Sequence, residues 1–139
     1  MSMFKVFDVA GSALSVESVR LNVTASNLAN ANSVSSSTEE TYRARQPVFA
    51  AMLKAQTGAT DDYSTGVQLK GIVESQAPLQ QQYNPDHPQA NEEGYIFLPN
   101  VNVVEEMANM ISASRSYQSN VEVINTAKQL MLRTITLGQ

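Results

Sequence analysis

Residues 4–28 read FKVFDVAGSALSVESVRLNVTASNL, and apolar or small side chains recur there at alternating steps of three and four positions. The members of this series are Phe4, Phe7, Gly11, Leu14, Ser18, Leu21, Ala25 and Leu28. The spacing is the a/d pattern of a helix that packs against another helix along one face. The sequence therefore predicts an N-terminal helix, which ends near residues 30–32, where Asn and Ser favour local side-chain hydrogen bonds over helix.

The C-terminal segment repeats the same pattern. Its members are Val103, Met107, Met110, Ser114, Tyr117, Val121, Ile124, Lys128, Met131 and Ile135. Neither Gly nor Pro interrupts residues 100–137, so we predict a helix with an Asn cap directly after Pro99 and a stop at Gly138. About 35 helical residues make a rod of roughly 52 Å, longer than the roughly 37 Å diameter of a compact domain of this length. We therefore expect this helix to project, to pair antiparallel with the first, and to leave apolar surface for partners.

Between the two predicted helices the spacing of apolar residues is no longer helical. Residues 42–49 are predicted to be extended, and residues 66–73 alternate like a strand until Gly71, where the slip indicates a bulge. The turn-rich residues 58–62 favour a hairpin between these two segments. Residues 94–99 predict one more short strand.

Three prolines, Pro78, Pro85 and Pro88, predict that residues 76–91 are irregular and extended. The fold class that follows is mainly α with a small β-rich middle, in which the N- and C-terminal helices pair as an antiparallel coiled coil. We expect residues 1–32 and 100–139 to form the terminal-helix domain, and residues 33–99 to form a β-hairpin and irregular insertion between them.

Composition excludes several classes of function. The 139 residues include no Cys, no Trp and one His, with 6% aromatic residues and a formal net charge of -4. The absence of Cys excludes thiolate chemistry, and a single His is too few for a typical His-based catalytic site. The net negative charge argues against a nucleic-acid binder, which would have a basic face. No apolar run approaches a membrane span, and Asp8 interrupts the only run that resembles a signal peptide. We therefore predict a non-enzymatic scaffold or assembly subunit without cofactors, cleaved signal or membrane insertion.

Two groups of side chains contain residue types that occur in catalytic or metal sites. Residues 84–88, NPDHP, followed by Glu92 and Glu93, contain metal-ligand types, but two prolines hold them extended and no second His exists. A turn capped by side chains explains them better. Asp61 and Asp62 with Glu74 resemble an acid–base group only in composition. We predict no catalytic, cofactor-binding or metal-binding residue, and keep a metal-dependent hydrolase using Asp86, His87 and Glu92 as a rival hypothesis.

Two sequence blocks resemble a known family. Residues 26–32, SNLANAN, follow the N-terminal heptads and precede Tyr42–Arg43, and this arrangement resembles the axial proteins of the bacterial flagellar rod and hook. Residues 85–90, PDHPQA, then Gly94–Tyr95 and residues 99–107, PNVNVVEEM, form a longer and more specific match. The chain resembles the bacterial flagellar basal-body rod proteins, closest to the proximal rod members, over nearly its whole length. One departure is the Ser-rich stretch 33–41, where the family has a Thr-Pro-Gly-Tyr-like step.

The resemblance implies a structural subunit that stacks helically in the periplasmic rod and transmits torque from motor to hook. It implies partnership with other copies of the chain, with other rod proteins, and with the flagellar type III export apparatus, which exports the family without a cleaved signal. Another axial rod or hook subunit and a free-standing coiled-coil adaptor remain as alternatives. The expected assembly residues are Phe7, Leu14, Leu21, Asn27, Leu28, Asn30, Met107, Met110, Arg115, Tyr117, Val121, Ile124 and Met131.

Overall fold

Two long helices flank a small β-rich middle in the computed structural model, which describes residues 3–52 and 66–137. Helix α1 spans Met3–Asn30 and helix α2 spans Val103–Leu137. Strands β1 (Arg45–Ala51) and β2 (Val67–Glu74) form one two-stranded antiparallel sheet. Strands β3 (Gln80–Tyr83) and β4 (Tyr95–Leu98) form the other. The prediction of a mainly helical chain with a small β-rich middle is confirmed.

The ends of the helices follow from their sequences. The Asn102 side chain caps α2, because its Oδ1 accepts the backbone N–H groups of Val104 (3.1 Å) and Glu105 (3.3 Å). The predicted cap directly after Pro99 was therefore wrong by two residues. Helix α1 ends where the backbone N–H of Ser33 donates to the carbonyl of Asn30 at 3.1 Å, as the polar run predicted. The predicted stop at Gly138 lies outside the described residues.

Helices α1 and α2 run antiparallel. Asn27, near the end of α1, contacts Glu106, near the start of α2, whereas Val6 lines one groove with Ala127 and Leu130. The same pairing places residues 131–137 beyond the described start of α1, an extension of roughly 10 Å at the helical rise. The predicted projection of the last helix is therefore present, and we call residues 131–137 the α2 overhang.

The hairpin of β1 and β2 lies along α1. At one end the Asn27 side chain bonds to the backbone of Arg45, and at the other the Ser12 hydroxyl accepts the N–H of Val67 at 3.1 Å. Fifteen helical residues span about 22 Å and a seven-residue strand spans about 23 Å, so the two elements match in length. The predicted bulge is confirmed within one residue, because Val48 pairs with Gly71 but Phe49 pairs with Leu69. The predicted turn at 58–62 lies outside the described residues.

The second hairpin corrects one prediction. Residues 76–91 were expected to be irregular, yet Gln80–Tyr83 pair with Tyr95–Leu98. Three consecutive Gln residues followed by Tyr83 give no signal of an apolar face, and pairing with β4 orders the strand instead. Gly94 makes the return possible, because its φ of 82° is unfavourable for other residues and a Cβ at this position would lie 2.9 Å from the Tyr83 ring and 3.2 Å from Pro85. The backbone of Ser35 bridges to Phe97, which attaches the segment after α1 to this hairpin.

Candidate assembly surfaces

Asn27 is the polar centre of the junction between the two helices and the middle segment. Its side chain is only 1% exposed. Its Nδ2 donates to the carbonyl of Arg45 (2.8 Å) and to Oε1 of Glu106 (3.0 Å). Its Oδ1 accepts the hydroxyl of Tyr42 (2.8 Å) and the N–H of Arg45 (2.9 Å). Both donors and both lone pairs of the amide are therefore used, which fixes where the chain enters β1.

Asn30 has a local role in the described structure. Its Nδ2 donates to the carbonyl of Ser26 at 2.8 Å, and its own carbonyl accepts the hydroxyl of Ser33 at 2.8 Å. These bonds close the last turn of α1. Asn27 and Asn30 thus stabilise the fold of the chain itself. From the sequence, both were predicted only to be assembly residues.

Glu106 was not among the predicted residues, because its position in the first turns of α2 is explained by the helix dipole alone. The structure buries it to 7% exposure, with Oε1 bonded to Asn27 and with no hydrogen-bond partner for Oε2 among the described residues. Burial raises the pKa of the Glu106 carboxyl; the Asn27 bond opposes the rise and the neighbouring Glu105 charge adds to it. No spacing in the sequence signals this burial.

Asn100 joins the two strands of the first hairpin to the start of α2. Its Oδ1 accepts the N–H of Ala44 at 2.8 Å, and its Nδ2 donates to the carbonyls of Ser75 (3.3 Å) and Ala77 (2.9 Å). The residue predicted to be a helix cap is therefore a cross-link between three segments.

The predicted seam residues lie close to the helix interface but one position away from its most buried line. On α2 the buried residues are Glu106, Ala113 and Ala127, one residue ahead of the predicted Met107, Ser114 and Lys128. Helix α1 buries Ala10, Thr24 and Asn27, one residue ahead of predicted members of its series, and also Val16 and Val23, two residues past Leu14 and Leu21. The half-buried predicted residues are Phe7, Leu14, Leu21, Leu28, Met110, Val121, Ile124 and Met131.

This shift has a physical reason. Helix α1 contacts α2 and both strands of the first hairpin, so its buried side is broader than the seam of a two-helix pair. Ala10, Ala113 and Ala127 are small enough to let the backbones approach. The remaining predicted residues, Met107 (50% exposed), Tyr117 (38%) and Arg115, lie on the outside of α2.

The first turns of α2 expose an apolar stripe. Val104 is 76% exposed, and Met107 and Ile111 follow at steps of three and four, which place all three on one side of the helix. We call these three residues the α2 stripe. Leu132 and Ile135 continue the exposure of apolar side chains on the α2 overhang. Clustered apolar exposure of this kind marks an interaction surface.

An apolar groove lies at the other end of the helix pair. Its volume is about 580 Å³. The lining residues are Val6, Ser119, Glu122, Val123, Thr126, Ala127 and Leu130. The groove adjoins the α2 overhang, so exposed apolar surface continues along the outer half of α2.

The predicted metal-ligand types form a turn. The Nδ1 of His87 accepts the N–H of Gln89 at 3.1 Å, and Oδ1 of Asn91 accepts the N–H of Glu93 at 3.0 Å. Within 3–52 and 66–137 no three side chains of metal-ligand type come together. Asp61 and Asp62 lie outside those ranges. Across the same ranges neither helix combines the length and apolarity that crossing a membrane requires.

Comparison with known proteins gives matches at both ends and over the full length. Residues 7–35 match the family model described as flagella basal body rod protein. Residues 92–137 match the model described as flagellar basal body rod FlgEFG protein C-terminal. The chain is 52% identical over 139 residues to the flagellar basal-body rod protein FlgC of Escherichia coli O6:H1, with both chains fully covered.

Two further relatives are similar over their full length. The flagellar basal-body rod protein FlgC of Salmonella typhimurium is 51% identical over 140 residues, covering all of both chains. That of Buchnera aphidicola from Acyrthosiphon pisum is 40% identical over 141 residues, again with full coverage. The two matched segments cover α1 from Phe7 onward and the whole of α2, the elements that carry the surfaces described above.

Proposed function

This chain belongs to the FlgC family of flagellar basal-body rod proteins, and from that membership we propose how its surfaces build the rod. The chain is a structural subunit of the proximal rod of the flagellar basal body. We infer that it acts by assembly and catalyses no reaction. Its partners are other copies of itself and other rod proteins, which it meets through the outer side of α2.

The exposure of the α2 stripe is the observation that carries this proposal. Burying a large aliphatic side chain stabilises an interface by about 1.5–3 kcal/mol, and Val104, Met107 and Ile111 are each at least half exposed. The α2 overhang and the groove beside it add further apolar surface. A neighbouring helix that covered these surfaces would gain several such contributions, and a helical lattice repeats them in every subunit.

We propose that the antiparallel helix pair becomes a coiled coil inside the rod. The half-buried residues Phe7, Leu14 and Leu21 on α1, with Met110 and Ile124 on α2, then complete their burial against adjacent subunits. Arg115 and Tyr117 serve as anchors at that interface, because both types are enriched at protein interfaces. We assign burial against adjacent subunits also to the remaining predicted assembly residues, Leu28, Met107, Val121 and Met131. Asn27 and Asn30 contribute to assembly indirectly, because they stabilise the fold of the subunit.

The terminal helices, 1–32 and 100–139, form the inner layer in this proposal, and residues 33–99 form its outer part. Residues 33–99 contain eight acidic and four basic residues, so the middle presents net negative charge to neighbouring subunits. We further propose that the chain leaves the cytoplasm through the flagellar type III export apparatus without a cleaved signal and reaches the periplasmic rod.

A single charge in the α2 stripe tests the proposal. The Ile111→Asp variant should keep the unfolding midpoint of the wild-type monomer, because Ile111 is 53% exposed. It should fail to incorporate into rods and abolish motility, since a carboxylate at a buried apolar contact is strongly unfavourable. Complementation of a strain lacking the chain, scored by swimming and by basal-body purification, measures the result.

The matched control is Ser112→Asp, which places the same charge on the next residue of α2, which is also exposed. This variant should swim like the wild type. Normal motility of the Ile111→Asp variant, or equal loss of motility in both variants, would contradict the assignment of the α2 stripe.

A further inference from the structure

Glu106 occupies a site that is unusual for a carboxyl group. It is 7% exposed, its Oε2 has no hydrogen-bond partner among the described residues, and its Oε1 accepts one bond, from Asn27. A buried carboxylate is normally compensated by a cation or by several hydrogen bonds. The single neutral N–H of Asn27 favours the ionised form but does not compensate a carboxylate this deeply buried, so the site as a whole favours the protonated carboxyl.

The charged groups around the junction do not offset the negative charge. From residues 42–45, where the chain enters β1, the Arg45 guanidinium stacks over the Tyr42 ring at 5.4 Å and its Nε lies 3.5 Å from Glu74. Arg43 from the same segment donates to the backbone carbonyls of Ser75 and Ala77.

The two helices supply no compensating cation either. From α1, Arg20 pairs with Glu17 at 3.5 Å, two turns before Asn27. On α2 itself the adjacent group is Glu105, which has the same sign as Glu106. Among the groups described at this junction, those that face Glu106 are therefore neutral or acidic.

We propose that the contact between Asn27 and Glu106 is a proton-sensitive latch, which is closed when the Glu106 carboxyl is neutral and opens more readily when it is charged. Asn27 transmits the effect, because the same amide holds the hydroxyl of Tyr42 and both backbone groups of Arg45. A charged Glu106 draws water into the junction and weakens the position of Asn27. The Glu106 charge thereby controls how firmly the first hairpin is attached to the helix pair.

The direction of the pH dependence follows from linkage. A carboxyl whose pKa is higher in the folded than in the unfolded chain takes up a proton on closure. Its contribution to stability is therefore complete below the ordinary glutamate pKa of 4.5 and is lost as the pH rises through the folded value. The latch is tighter in mild acid than at neutral or alkaline pH.

Hydrogen exchange of the Arg45 amide measures the latch directly in the full-length monomer at low concentration. After correction for the intrinsic exchange rate, the opening constant should rise between about pH 4 and pH 8. Each unit by which the folded pKa exceeds the unfolded value adds up to about tenfold. The Glu106→Gln variant, neutral at every pH, should lack this increase, whereas Glu122→Gln, an exposed carboxyl on the same helix, should keep it.

A second measurement does not depend on a variant folding. A carbon-13 titration of the wild-type carboxyls should place the midpoint of Glu106 above the ordinary glutamate pKa of 4.5. An ordinary or lowered midpoint for Glu106, a flat opening constant in the wild type, or an unchanged pH dependence in Glu106→Gln would overturn the latch. None of these readouts requires assembly, so the latch can fail independently of the proposed rod function.

Discussion

At the scale of single residues, buried amides organise this chain. Asn27 uses all four of its hydrogen-bonding positions. Asn100 bonds to three backbone groups, one just before the first hairpin and two just after it. The sequence placed Asn27 within a recognisable block, but the block says nothing of its partners, which lie 15 to 79 residues away. Glu106 could not be predicted at all, because burial of a carboxyl depends on how three segments meet.

The Asn27→Ala variant tests how much this residue contributes to the stability of the fold. Truncation leaves the Tyr42 hydroxyl, both backbone groups of Arg45 and Oε1 of Glu106 without their partner, and each buried unsatisfied group costs about 1–3 kcal/mol. Allowing for water entering the site, we expect the free energy of unfolding to fall by about 3 kcal/mol in urea denaturation. Asn30→Ala is the control, because its side-chain bond lies within one turn of α1, and it should cost less than about 1 kcal/mol. Similar losses for the two variants would refute the central role of Asn27.

At the scale of secondary structure, helix existence and length followed from the sequence, whereas the register of packing did not. The series of threes and fours located both helices, but the buried residues of α2 lie one residue ahead of it, and on α1 Ala10, Thr24 and Asn27 do so while Val16 and Val23 do not. The apolar pattern averages over every surface that a helix buries, including those that face other subunits. Within the chain, the small residues Ala10, Ala113 and Ala127 are buried. Because an alanine side chain has little apolar area, these residues contribute little to the hydrophobic pattern of the sequence. Strand β3 was missed because Gln80–Gln82 carry no apolar alternation.

Enlarging a single alanine distinguishes the two registers. Ala113 is completely buried, so Ala113→Leu should force α1 and α2 apart and lower the free energy of unfolding by roughly 1–3 kcal/mol. Ser114→Leu adds its side chain at the predicted position, which is only half-buried, and should change stability by less than about 0.5 kcal/mol. Urea denaturation of the two monomeric variants provides the comparison. A larger loss at Ser114 than at Ala113 would restore the register predicted from the sequence.

At the scale of the whole molecule, the chain has more apolar surface than its own fold can cover. The fully buried hydrophobic residues are mostly alanines and valines, while the exposed ones include Ile111, Leu130, Leu132 and Ile135. Length arithmetic anticipated this excess, since a rod of 35 residues exceeds the diameter of a compact domain of this size. The identity of the covering surface depends on neighbouring subunits, and their packing is not encoded in the local pattern of one chain.

The α2 overhang offers a test at this scale that separates folding from assembly. The double variant Leu132→Asp, Ile135→Asp adds charge beyond the described start of α1, at side chains 54% and 59% exposed. The monomer should therefore unfold within about 5 °C of the wild type, because each surface substitution away from packed contacts changes stability by at most about 0.5 kcal/mol. Rod incorporation should be lost, since in the proposed assembly the same side chains are buried between subunits.

The control for the overhang is Thr134→Asp, Thr136→Asp, which adds equal charge to the same turns. Both threonine hydroxyls bond only to carbonyls of the preceding turn, so their loss costs little and no apolar contact is removed. This control should retain more motility than the Leu132, Ile135 variant in a complementation assay. If the two double variants swam equally well, the overhang would be a free end in the rod, and the interface would have to be sought along the α2 stripe alone.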